Sequence, residues 1–294
     1  MKKLADSIKR VGLLGNSEKV SGAGVVAEAA RLIEAAGRKV YSEPITARWA
    51  GIDAKLCPDV AALTRKVDLL LVFGGDGTML RAAREIAGSQ TPILGVNIGS
   101  LGFLTATPSN ELGQALDRVW NNEFTFEDRL LLEAQGRCHK RWVAQTALND
   151  IVISRGITSR LIELDVRVDG APLTRYRCDG LIICSPTGST AYSLAAGGAV
   201  VFPTADVLEI TPICPHTLSN RSLILPLTAK IEVMVISRKP ATILSADGRV
   251  VSKLRADDLL TISRSRHSVR LVHLAGTSFA DTLRRKLHWR GATL

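Results

Sequence analysis

The segment from Val67 to Leu80, VDLLLVFGGDGTML, constrains the fold of this chain more than any other. A continuous apolar run, Leu69 to Phe73, ends at glycines, and a helical pattern of apolar residues begins after Thr78. An apolar run that ends in a glycine turn and is followed by a helix is typical of a buried parallel strand. Ligands of such sheets bind at the carboxyl ends of the strands, where Asp76 is expected to lie.

The glycines around Asp76 indicate a loop that approaches a ligand closely. Gly74, Gly75 and Gly77 have no side chain, and they permit backbone angles that other residues resist. The helix that follows begins with unpaired N–H groups, which suit a phosphate. A carboxylate at this position can accept the proton of a hydroxyl group. The alternative, which the motif alone leaves open, is a structural turn in which Asp76 or Thr78 only caps the helix.

The order of the patterns along the chain predicts an α/β plus β fold. Strands and helices alternate over residues 1–125, which predicts an open, Rossmann-like α/β domain. Strand follows strand over residues 126–266, with hairpin signals at Asp169-Gly170 and Asp247-Gly248, which predicts a mainly antiparallel β domain. Residues 267–294 are predicted to form a strand and a final amphipathic helix that packs back on the N-terminal domain.

Some individual elements can also be predicted. Ser109 is expected to cap a helix that continues to Trp120, because Leu112, Leu116 and Val119 are spaced along one helical face. Near the end of the β-rich region, Leu259–Ile262 and Ser268–Leu274 are expected to be separate strands.

A second glycine-rich segment, residues 178–201, has the sequence CDGLIICSPTGSTAYSLAAGGAVV. A buried strand is followed by Pro186–Thr190 and by a short helix. Hydroxyl groups and backbone N–H groups in a loop before a helix suit a ribose or a phosphate, and Tyr192 offers an aromatic face for a base. The alternative is a tight Gly/Pro turn without a ligand.

Further polar residues stand near these loops. Asn149 and Asp150, at the junction of two strands, place an amide beside a carboxylate, although this pair taken alone favours a polar kink or bulge. Arg160, Arg175 and Arg177 add positive charge that suits phosphate in forked geometry. Taken singly, each arginine is also explained as a solvated surface charge.

The composition limits the kinds of partner that the chain is expected to bind. A net charge of +10 over 294 residues suits phosphorylated small molecules, whereas dispersed basic residues and only 4% aromatic residues argue against nucleic acid. No apolar stretch approaches the ~18 residues of a membrane span, and no signal peptide is seen, so no membrane partner is expected. The five scattered cysteines fit reduced thiols and a cytoplasmic location. The histidines lack metal-ligand spacing, and no metal site formed by protein residues is expected.

Together the motifs resemble one enzyme family. GGDGT at 74–78, LND at 148–150, RCDGLIICSPTGSTAYSLAAGG at 177–198 and TPICPHTLSNRSL at 211–223 follow in the order seen in NAD kinases of the bacterial, ATP-dependent type. GGDGT alone is also similar to diacylglycerol and sphingosine kinases and, more distantly, to 6-phosphofructokinases. The PTGSTAYSLAAGG block is what favours NAD kinase within this group.

The resemblance implies a reaction and its substrates. The γ-phosphate of ATP is transferred to the 2′-hydroxyl of the adenosine ribose of NAD⁺, which gives NADP⁺ and ADP. NAD is held between an N-terminal α/β domain and a C-terminal β domain, in a homodimer or homotetramer. Mg²⁺ or another divalent cation is expected to arrive with ATP and to be held largely by phosphates and water.

The resemblance also assigns residues. Asp76 matches the family's proton acceptor, and Ser185 stands where threonine is usual. The nucleotide-binding residues implied are Gly74, Gly75, Gly77, Thr78, Arg81, Asn149, Asp150, Arg160, Arg177, Asp179, Thr190, Ala191, Tyr192, Ser193 and Arg249. Two other functions stay open on the residues alone: a related lipid kinase, and a dinucleotide-binding module without catalysis.

Overall fold

The computed structural model describes residues 4–86, 88–105, 107–139, 141–157, 160–216, 221–238 and 242–289. The chain divides into two units. The first unit combines Met1–Asp128 with Val269–Leu294, and the second unit is Arg129–Ser268. Both unit boundaries fall within long strands, Phe124–Cys138 and Leu259–Leu274.

The first unit alternates strands and helices, as its hydrophobic patterns predict. Short 3-10 helices at Val20–Gly22 and Ser109–Glu111 precede two of its α-helices. Its elements up to the boundary are α1 (Leu4–Ser7), β1 (Arg10–Gly15), α2 (Ala23–Ala35), β2 (Lys39–Ser42), α3 (Pro44–Ala50), β3 (Lys55–Leu56), α4 (Val60–Thr64), β4 (Leu69–Gly74), α5 (Asp76–Glu85), β5 (Ile93–Asn97), β6 (Thr107–Pro108) and α6 (Leu112–Trp120).

The second unit is built almost entirely of strands. A 3-10 helix, Thr187–Thr190, and one short α-helix interrupt them. From the boundary onward the elements are β7 (Phe124–Cys138), β8 (Arg141–Ala147), β9 (Asp150–Arg155), β10 (Ile162–Val168), β11 (Ala171–Cys178), β12 (Gly180–Cys184), α7 (Tyr192–Ala195), β13 (Val207–Ile213), β14 (Leu223–Pro226), β15 (Ile231–Val235), β16 (Thr242–Ala246), β17 (Arg249–Leu254), β18 (Leu259–Leu274) and the terminal α8 (Phe279–Leu287).

A parallel sheet with the order β5-β4-β1-β2-β3 forms the centre of the first unit. Every residue of β4 is buried, as expected of a parallel strand covered on both faces. The end of β18 extends the sheet, since Leu271 pairs with Ile93 of β5 in parallel. Leu274 joins the core of the first unit, and α8, which includes the buried Leu283, follows it in the same unit.

The second unit is antiparallel throughout its described pairings. One sheet has the order β14-β13-β12-β9-β16-β17, and the strands β11-β10-β15-β18 form another run. Inward residues such as Ile151, Leu181, Leu164 and Val233 share one hydrophobic core. The prediction of an α/β plus β fold, in which the final helix returns to the N-terminal part, is therefore confirmed.

Some predicted details are wrong. Ser109 opens a 3-10 helix and does not cap α6 through its side chain, because the chain tightens into i→i+3 turns before the α-helix begins. The strands predicted at Leu259–Ile262 and Ser268–Leu274 are one continuous strand, β18, in which the polar residues between them are part of the ladder. No helix in the described part of the chain is long and apolar enough to cross a membrane.

Candidate active site

Asp76 is the first residue of α5 and lies directly after β4, at the carboxyl edge of the parallel sheet. Its carboxylate accepts hydrogen bonds from the backbone N–H of Phe103 at 2.8 Å and of Leu104 at 2.9 Å. The hydroxyl of Thr105 is a more distant donor, at 3.4 Å. Gly75 is the N-cap residue of α5, and no side chain caps this helix. Asp76 is thus directed to the neighbouring loop, and the alternative of a capping aspartate is not what the structure shows.

The glycines of this motif leave room for close packing. They do not adopt the unusual backbone angles that glycine permits, so that part of the prediction is wrong. Gly74, Gly75 and Gly77 all lie outside the positive-φ region. A Cβ on Gly74 would lie 2.2 Å from the hydroxyl oxygen of Thr78, whereas a Cβ on Gly77 would meet nothing within 4 Å. A Cβ on Gly102 would lie 2.0 Å from a carboxylate oxygen of Asp76. The absence of side chains lets the Asp76 loop and the loop after β5 approach each other.

Register explains why these two loops meet. Strands β4 and β5 are parallel neighbours, and Gly74 lies opposite Asn97. The buried side-chain amide of Asn97 donates to the carbonyl of Ser100 at 2.7 Å and to the hydroxyl of Thr105 at 2.8 Å. Asn97 therefore shapes the loop whose N–H groups bind Asp76.

Thr78 and Arg81 lie on α5, Thr78 directly after Gly77 and Arg81 about one turn further along the helix. Thr78 is buried against Gly74. Arg81 is partly exposed, and its Nε lies 3.4 Å from a carboxylate oxygen of Glu85, one helical turn away. An i,i+4 pair of this exposure is weak, so the guanidinium can exchange Glu85 for a stronger anion.

Lys19 completes this edge of the sheet and is a residue that sequence reasoning missed. Its ammonium donates to the carbonyl of Ile98 at 2.6 Å. The same nitrogen lies 3.6 Å from the position of a Cβ on Gly75 and 3.8 Å from that of a Cβ on Gly99. A single lysine in the loop after β1 carries no motif, and only the fold brings it to Gly75.

In the second unit, Asn149 and Asp150 meet the turn at Asp247. The carboxylate of Asp247 accepts from the backbone N–H groups of Leu148, Asn149 and Asp150, at 2.9, 2.8 and 3.3 Å. Asp247-Gly248 is the hairpin turn between β16 and β17, as the sequence predicts, but its second role could not be read from a turn signal. The side-chain carbonyl oxygen of Asn149 is shielded from solvent and has no hydrogen-bond partner among the described residues. An unpaired buried acceptor of this kind suits a ligand donor.

Asp150 is a buried acid. Burial and, to a smaller extent, the nearby charge of Asp247 together raise the pKa of its carboxyl to about 7. Only 5% of the residue is exposed. At neutral pH it is divided between a neutral form that can donate a proton and a charged form that can only accept.

The hydroxyl-rich loop after β12 is packed against Asn149. The N–H of Ser185 donates to the carbonyl of Asn149 at 2.9 Å, and a Cβ on Gly188 would lie 2.1 Å from that carbonyl oxygen. The loop continues as the 3-10 helix Thr187–Thr190, in which the Thr190 hydroxyl donates to the Thr187 carbonyl at 3.2 Å. Ala191 follows, and Tyr192 is 47% exposed, with its ring available to a ligand.

Glu209 is a second residue that the sequence did not reveal, and it stabilises this loop from a neighbouring strand. Glu209 on β13 is 1% exposed, and its carboxylate accepts from the Ser193 hydroxyl at 3.0 Å and from the Ala199 N–H at 2.7 Å. Ser193 is itself completely buried. A Cβ on Gly198 would lie 2.1 Å from the Ser193 hydroxyl oxygen. The Ser193–Gly198 turn therefore closes around a buried carboxylate.

The remaining predicted residues, all in the second unit, are Asp179, Arg177, Arg160 and Arg249. Asp179 precedes β12, and its carboxylate pairs with Arg155 at 2.6 Å. Arg177 is 61% exposed at the end of β11, with its guanidinium 4.0 Å from Glu163. Arg160 is exposed, and Arg249 is an exposed residue that donates to the side chain of Gln145 at 3.0 Å. The structure does not bring Asp179 together with Asn149, since they lie at opposite ends of the paired strands β9 and β12.

Three further observations on the described part of the chain bear on the site. No group of three or more His, Cys, Asp or Glu side chains that could hold a metal ion occurs among the described residues. Residues 217–220 of the motif TPICPHTLSNRSL lie outside them. The five cysteines are free thiols, of which only Cys214 is exposed.

A glycine loop, a carboxylate and a helix N-terminus at the carboxyl edge of an open parallel sheet define an α/β protein of the class that binds its ligand at this edge. The comparisons with known proteins make this class specific. A family model described as the ATP-NAD kinase N-terminal domain matches residues 11–124, and one described as the ATP-NAD kinase C-terminal domain matches residues 148–274. The chain therefore belongs to the NAD kinase family, enzymes that phosphorylate NAD to NADP with ATP, and the resemblance seen in the motifs is confirmed.

Individual relatives agree over almost the whole chain. The NAD kinase of Syntrophotalea carbinolica is 40% identical over 283 residues, which cover 96% of this chain and 99% of that protein. The NAD kinase of Symbiobacterium thermophilum is 40% identical over 279 residues, or 95% of this chain and 98% of that protein.

Solved structures share the fold. Yeast NADH kinase complexed with NADH has a TM-score of 0.88 at 27% identity, covering 98% of this chain and 89% of that chain. An NAD kinase from Archaeoglobus fulgidus in complex with ATP has a TM-score of 0.75 at 24% identity, covering 96% of this chain and 100% of that chain. The second likeness supports the fold alone.

Proposed function

We propose that this chain transfers the γ-phosphate of ATP to the 2′-hydroxyl of the adenosine ribose of NAD⁺, with Asp76 as the proton acceptor. The observation that carries the assignment of Asp76 is its placement: a carboxylate at the start of α5, oriented by the N–H groups of Phe103 and Leu104. The 2′-oxygen bonds to the γ-phosphorus while the bond to the bridging oxygen of ADP breaks. ADP leaves with the electron pair, and the hydroxyl proton passes to Asp76.

The hydrogen bonds to Asp76 are compatible with this role. A carboxylate offers about four lone-pair sites, so the bonds from Phe103 and Leu104 leave acceptor capacity for a ribose hydroxyl. Because the transition state of phosphoryl transfer is loose, most of the catalysis is alignment and neutralisation of charge. An acceptor held at a fixed position suits that requirement.

For the dinucleotide, we propose binding by the hydroxyl-rich loop and the Asn149 turn. The unpaired side-chain oxygen of Asn149 can accept from a ribose hydroxyl or an amino group of the base, and Tyr192 offers an exposed ring. We assign the same nucleotide-binding role to Gly74, Gly75, Gly77, Thr78, Asp150, Asp179 and the Thr190–Ser193 run. Arg81, Arg160, Arg177 and Arg249 are assigned to the negative charge of the substrates.

For the metal, we propose that Mg²⁺ or another divalent cation enters as the complex with ATP. The described residues offer no group of three ligand side chains, so the phosphates and water are expected to supply most of the coordination. The free thiols support a reducing location such as the cytoplasm.

We also propose a homodimer or homotetramer in which one substrate site uses residues of two copies. Ser185 lies opposite Asn149 and is six residues from Asp179 along β12, which corresponds to about 20 Å at about 3.3 Å per residue. A two-fold arrangement would let Asn149 of one copy and Asp179 of another line the same site.

The test of the proposed function is NADP⁺ formation from NAD⁺, ATP and Mg²⁺ by the wild type and by Asp76→Asn. The amide keeps the size of the side chain and cannot take up the proton, so the rate is expected to fall by roughly 10²–10⁴-fold. Asp59→Asn is the matched control, since Asp59 caps α4 by accepting from Ala62 N–H at 2.6 Å. This control is expected to keep the helix cap, because asparagine caps a helix about as well as aspartate, and to retain turnover.

Other outcomes have definite meanings. Full activity of Asp76→Asn would remove Asp76 from the chemistry and leave the kinase activity in place. Binding of NAD⁺ without turnover in the wild type would indicate a dinucleotide-binding module. Phosphorylation of diacylglycerol in vesicles, with none of NAD⁺, would indicate a lipid kinase.

A further inference from the structure

Lys19 is held by hydrogen bonds at a defined position on the sheet edge, unlike a solvated surface lysine. It follows β1 in the chain, and in the order β5-β4-β1 its ammonium crosses the end of β4 to reach Ile98, just after β5. The loop is fixed at its base as well, because the Lys19 N–H donates to the carbonyl of Asn16 at 3.0 Å and the Asn16 N–H donates to that of Phe73 at 3.1 Å. The charge is thus held against Gly75, the residue before Asp76.

The hydrogen bonding of Lys19 leaves its charge uncompensated. An ammonium has three donors, and the carbonyl of Ile98 accounts for one of them. Within the described residues, no carboxylate forms an ion pair with Lys19, although the residue is partly buried. Holding a cation partly out of water without a counter-charge is unfavourable. An anionic group bound at this edge would supply the missing partner.

The surroundings fit a phosphate better than a carboxylate side chain of the protein. The N-terminus of α5 begins beside Gly75 and carries partial positive charge. A Cβ on Gly77 would meet nothing within 4 Å, so the space above this turn is open. A lysine that acts as a point charge beside such a turn is a common means of binding phosphate in proteins.

We infer that the ammonium of Lys19 binds a phosphate group of a bound nucleotide at the carboxyl edge of the parallel sheet, beside Asp76. This inference rests on the proposed function, which brings two phosphate sources to the site: the triphosphate of ATP and the pyrophosphate of NAD⁺. If the group is the one transferred, Lys19 also stabilises the charge that develops on its oxygens. The kinetic test below separates the two sources.

Three variants separate the charge of Lys19 from its hydrogen bond. Lys19→Gln keeps an N–H donor for the Ile98 carbonyl and removes the charge, while Lys19→Arg keeps both. The matched control is Lys9→Gln. Lys9 is exposed and precedes the first residue of β1, at the opposite edge of the same sheet. The kcat and the KM for ATP and for NAD⁺ are measured for the four proteins, with a thermal melt for each.

Lys19→Gln is expected to lower kcat/KM for one of the two substrates by roughly 10²–10³-fold, as the loss of one charge-stabilising donor does in other active sites. A loss in kcat and in the KM for ATP assigns the triphosphate, and a loss confined to the KM for NAD⁺ assigns the pyrophosphate. Lys19→Arg is expected to retain most of the activity, and Lys9→Gln all of it.

Wild-type constants in Lys19→Gln would overturn the inference, and so would a Lys19→Arg as impaired as Lys19→Gln, since shape would then matter and charge would not. If the wild type itself makes no NADP⁺, the proposed function fails, and calorimetry with inorganic tripolyphosphate still decides the role of Lys19. Weaker binding of tripolyphosphate by Lys19→Gln than by Lys9→Gln would uphold the phosphate site, and equal binding would remove it.

Discussion

At the scale of single residues, Asp150 shows how burial converts an ordinary acid into a group that titrates near neutrality. Burial is the larger cause of the rise in its pKa to about 7, and Asp247 adds to it. The Asp247 carboxylate is held in place by three backbone N–H groups, so it cannot turn away. The two acids therefore keep their repulsion in every state in which both are charged.

This pair predicts a dependence of stability on pH. Between about pH 4 and pH 7 the folded chain retains a proton on Asp150 that the unfolded chain has released, so the stability from this residue falls as pH rises. The variant Asp150→Asn cannot take up the charge and escapes the loss. Its free energy of unfolding relative to wild type is expected to increase from about pH 4 to about pH 8, as measured by urea unfolding. Asp117→Asn, on the exposed face of α6, is the control and is expected to show no such trend.

The residues found from the sequence and those missed differ in one physical respect. Asp76 stands out because the strand, the glycines and the helix that place it are its neighbours along the chain. Lys19 takes its role from Ile98, 79 residues away, and Asp247 takes its role from Asn149, 98 residues away. A single charged residue in a loop or turn carries no signal for such contacts, so only the fold could assign them.

At the scale of elements, the turn that contains Tyr192 and Ser193 depends on the strand beneath it. Glu209 on β13 accepts from Ser193 and Ala199 and also from the thiol of Cys184 on β12, at 3.3 Å. The hydroxyl of Ser193 and that of Thr211 are 2.8 Å apart. A buried carboxylate with several donors fixes the conformation of the loop more firmly than the loop's own backbone bonds can.

Replacing Glu209 with leucine should therefore affect both stability and substrate binding. The Ala199 N–H and the Ser193 hydroxyl would lose their acceptor, at a cost of about 1–3 kcal/mol for each unsatisfied group. We expect a higher KM for NAD⁺ with little change in the KM for ATP, and partial rescue in Glu209→Gln, which keeps one acceptor oxygen. Enzyme kinetics measure the two KM values, and thermal melts measure the change in stability.

Glu43→Leu provides the comparison for Glu209→Leu. Glu43 is equally buried and accepts from the N–H groups of Ile45 and Thr46 at the start of α3, in the first unit. Its loss should lower the melting temperature in the same way and leave the KM for NAD⁺ unchanged. Equal effects of the two variants on that KM would mean that Glu209 contributes only to general stability.

Elements with a strong hydrophobic period could be predicted from the sequence, whereas strands without such a period could not. The apolar run Leu69–Phe73 lies within β4, and the buried strand predicted before Pro186 is β12. Strand β11 lies at a sheet edge, and five successive residues from Ala171 to Arg175 are exposed, so no alternation marks it. Strand β13 contains Glu209 and Pro212, which argue against a central strand. Glu209 binds the loop that contains Ser193 and Ala199, and only the three-dimensional structure shows these contacts.

At the scale of the whole molecule, the fold class followed from the sequence because each unit repeats one kind of pattern along the chain. Helical and strand patterns alternate in the first unit, and strands with hairpin signals such as Asp169-Gly170 fill the second. What the sequence could not give is the distribution of the site residues. Asn149 and Asp179 are both in motifs that resemble NAD kinase, yet the strand pairing of β9 with β12 places them at opposite ends.

That separation predicts how defective chains should complement one another. If a site uses Asn149 of one copy and Asp179 of another, a mixed dimer of Asn149→Ala and Asp179→Ala contains one site with both residues intact. Each variant alone is expected to be strongly impaired. An equal mixture, unfolded and refolded together, should recover about a quarter of the wild-type activity, since about half of the dimers are mixed and each has one good site of two.

If both residues instead served the same site within one copy, every site in a mixed dimer would carry one defect. The activity of the mixture would then equal the average of the two variants. Light scattering of the wild type establishes whether a dimer or tetramer exists at the assay concentration, because a monomer would exclude a shared site directly. A refolded mixture of Asn149→Ala with Asn149→Ala,Asp179→Ala is the matched control, because neither chain in it can supply Asn149 and no gain is expected.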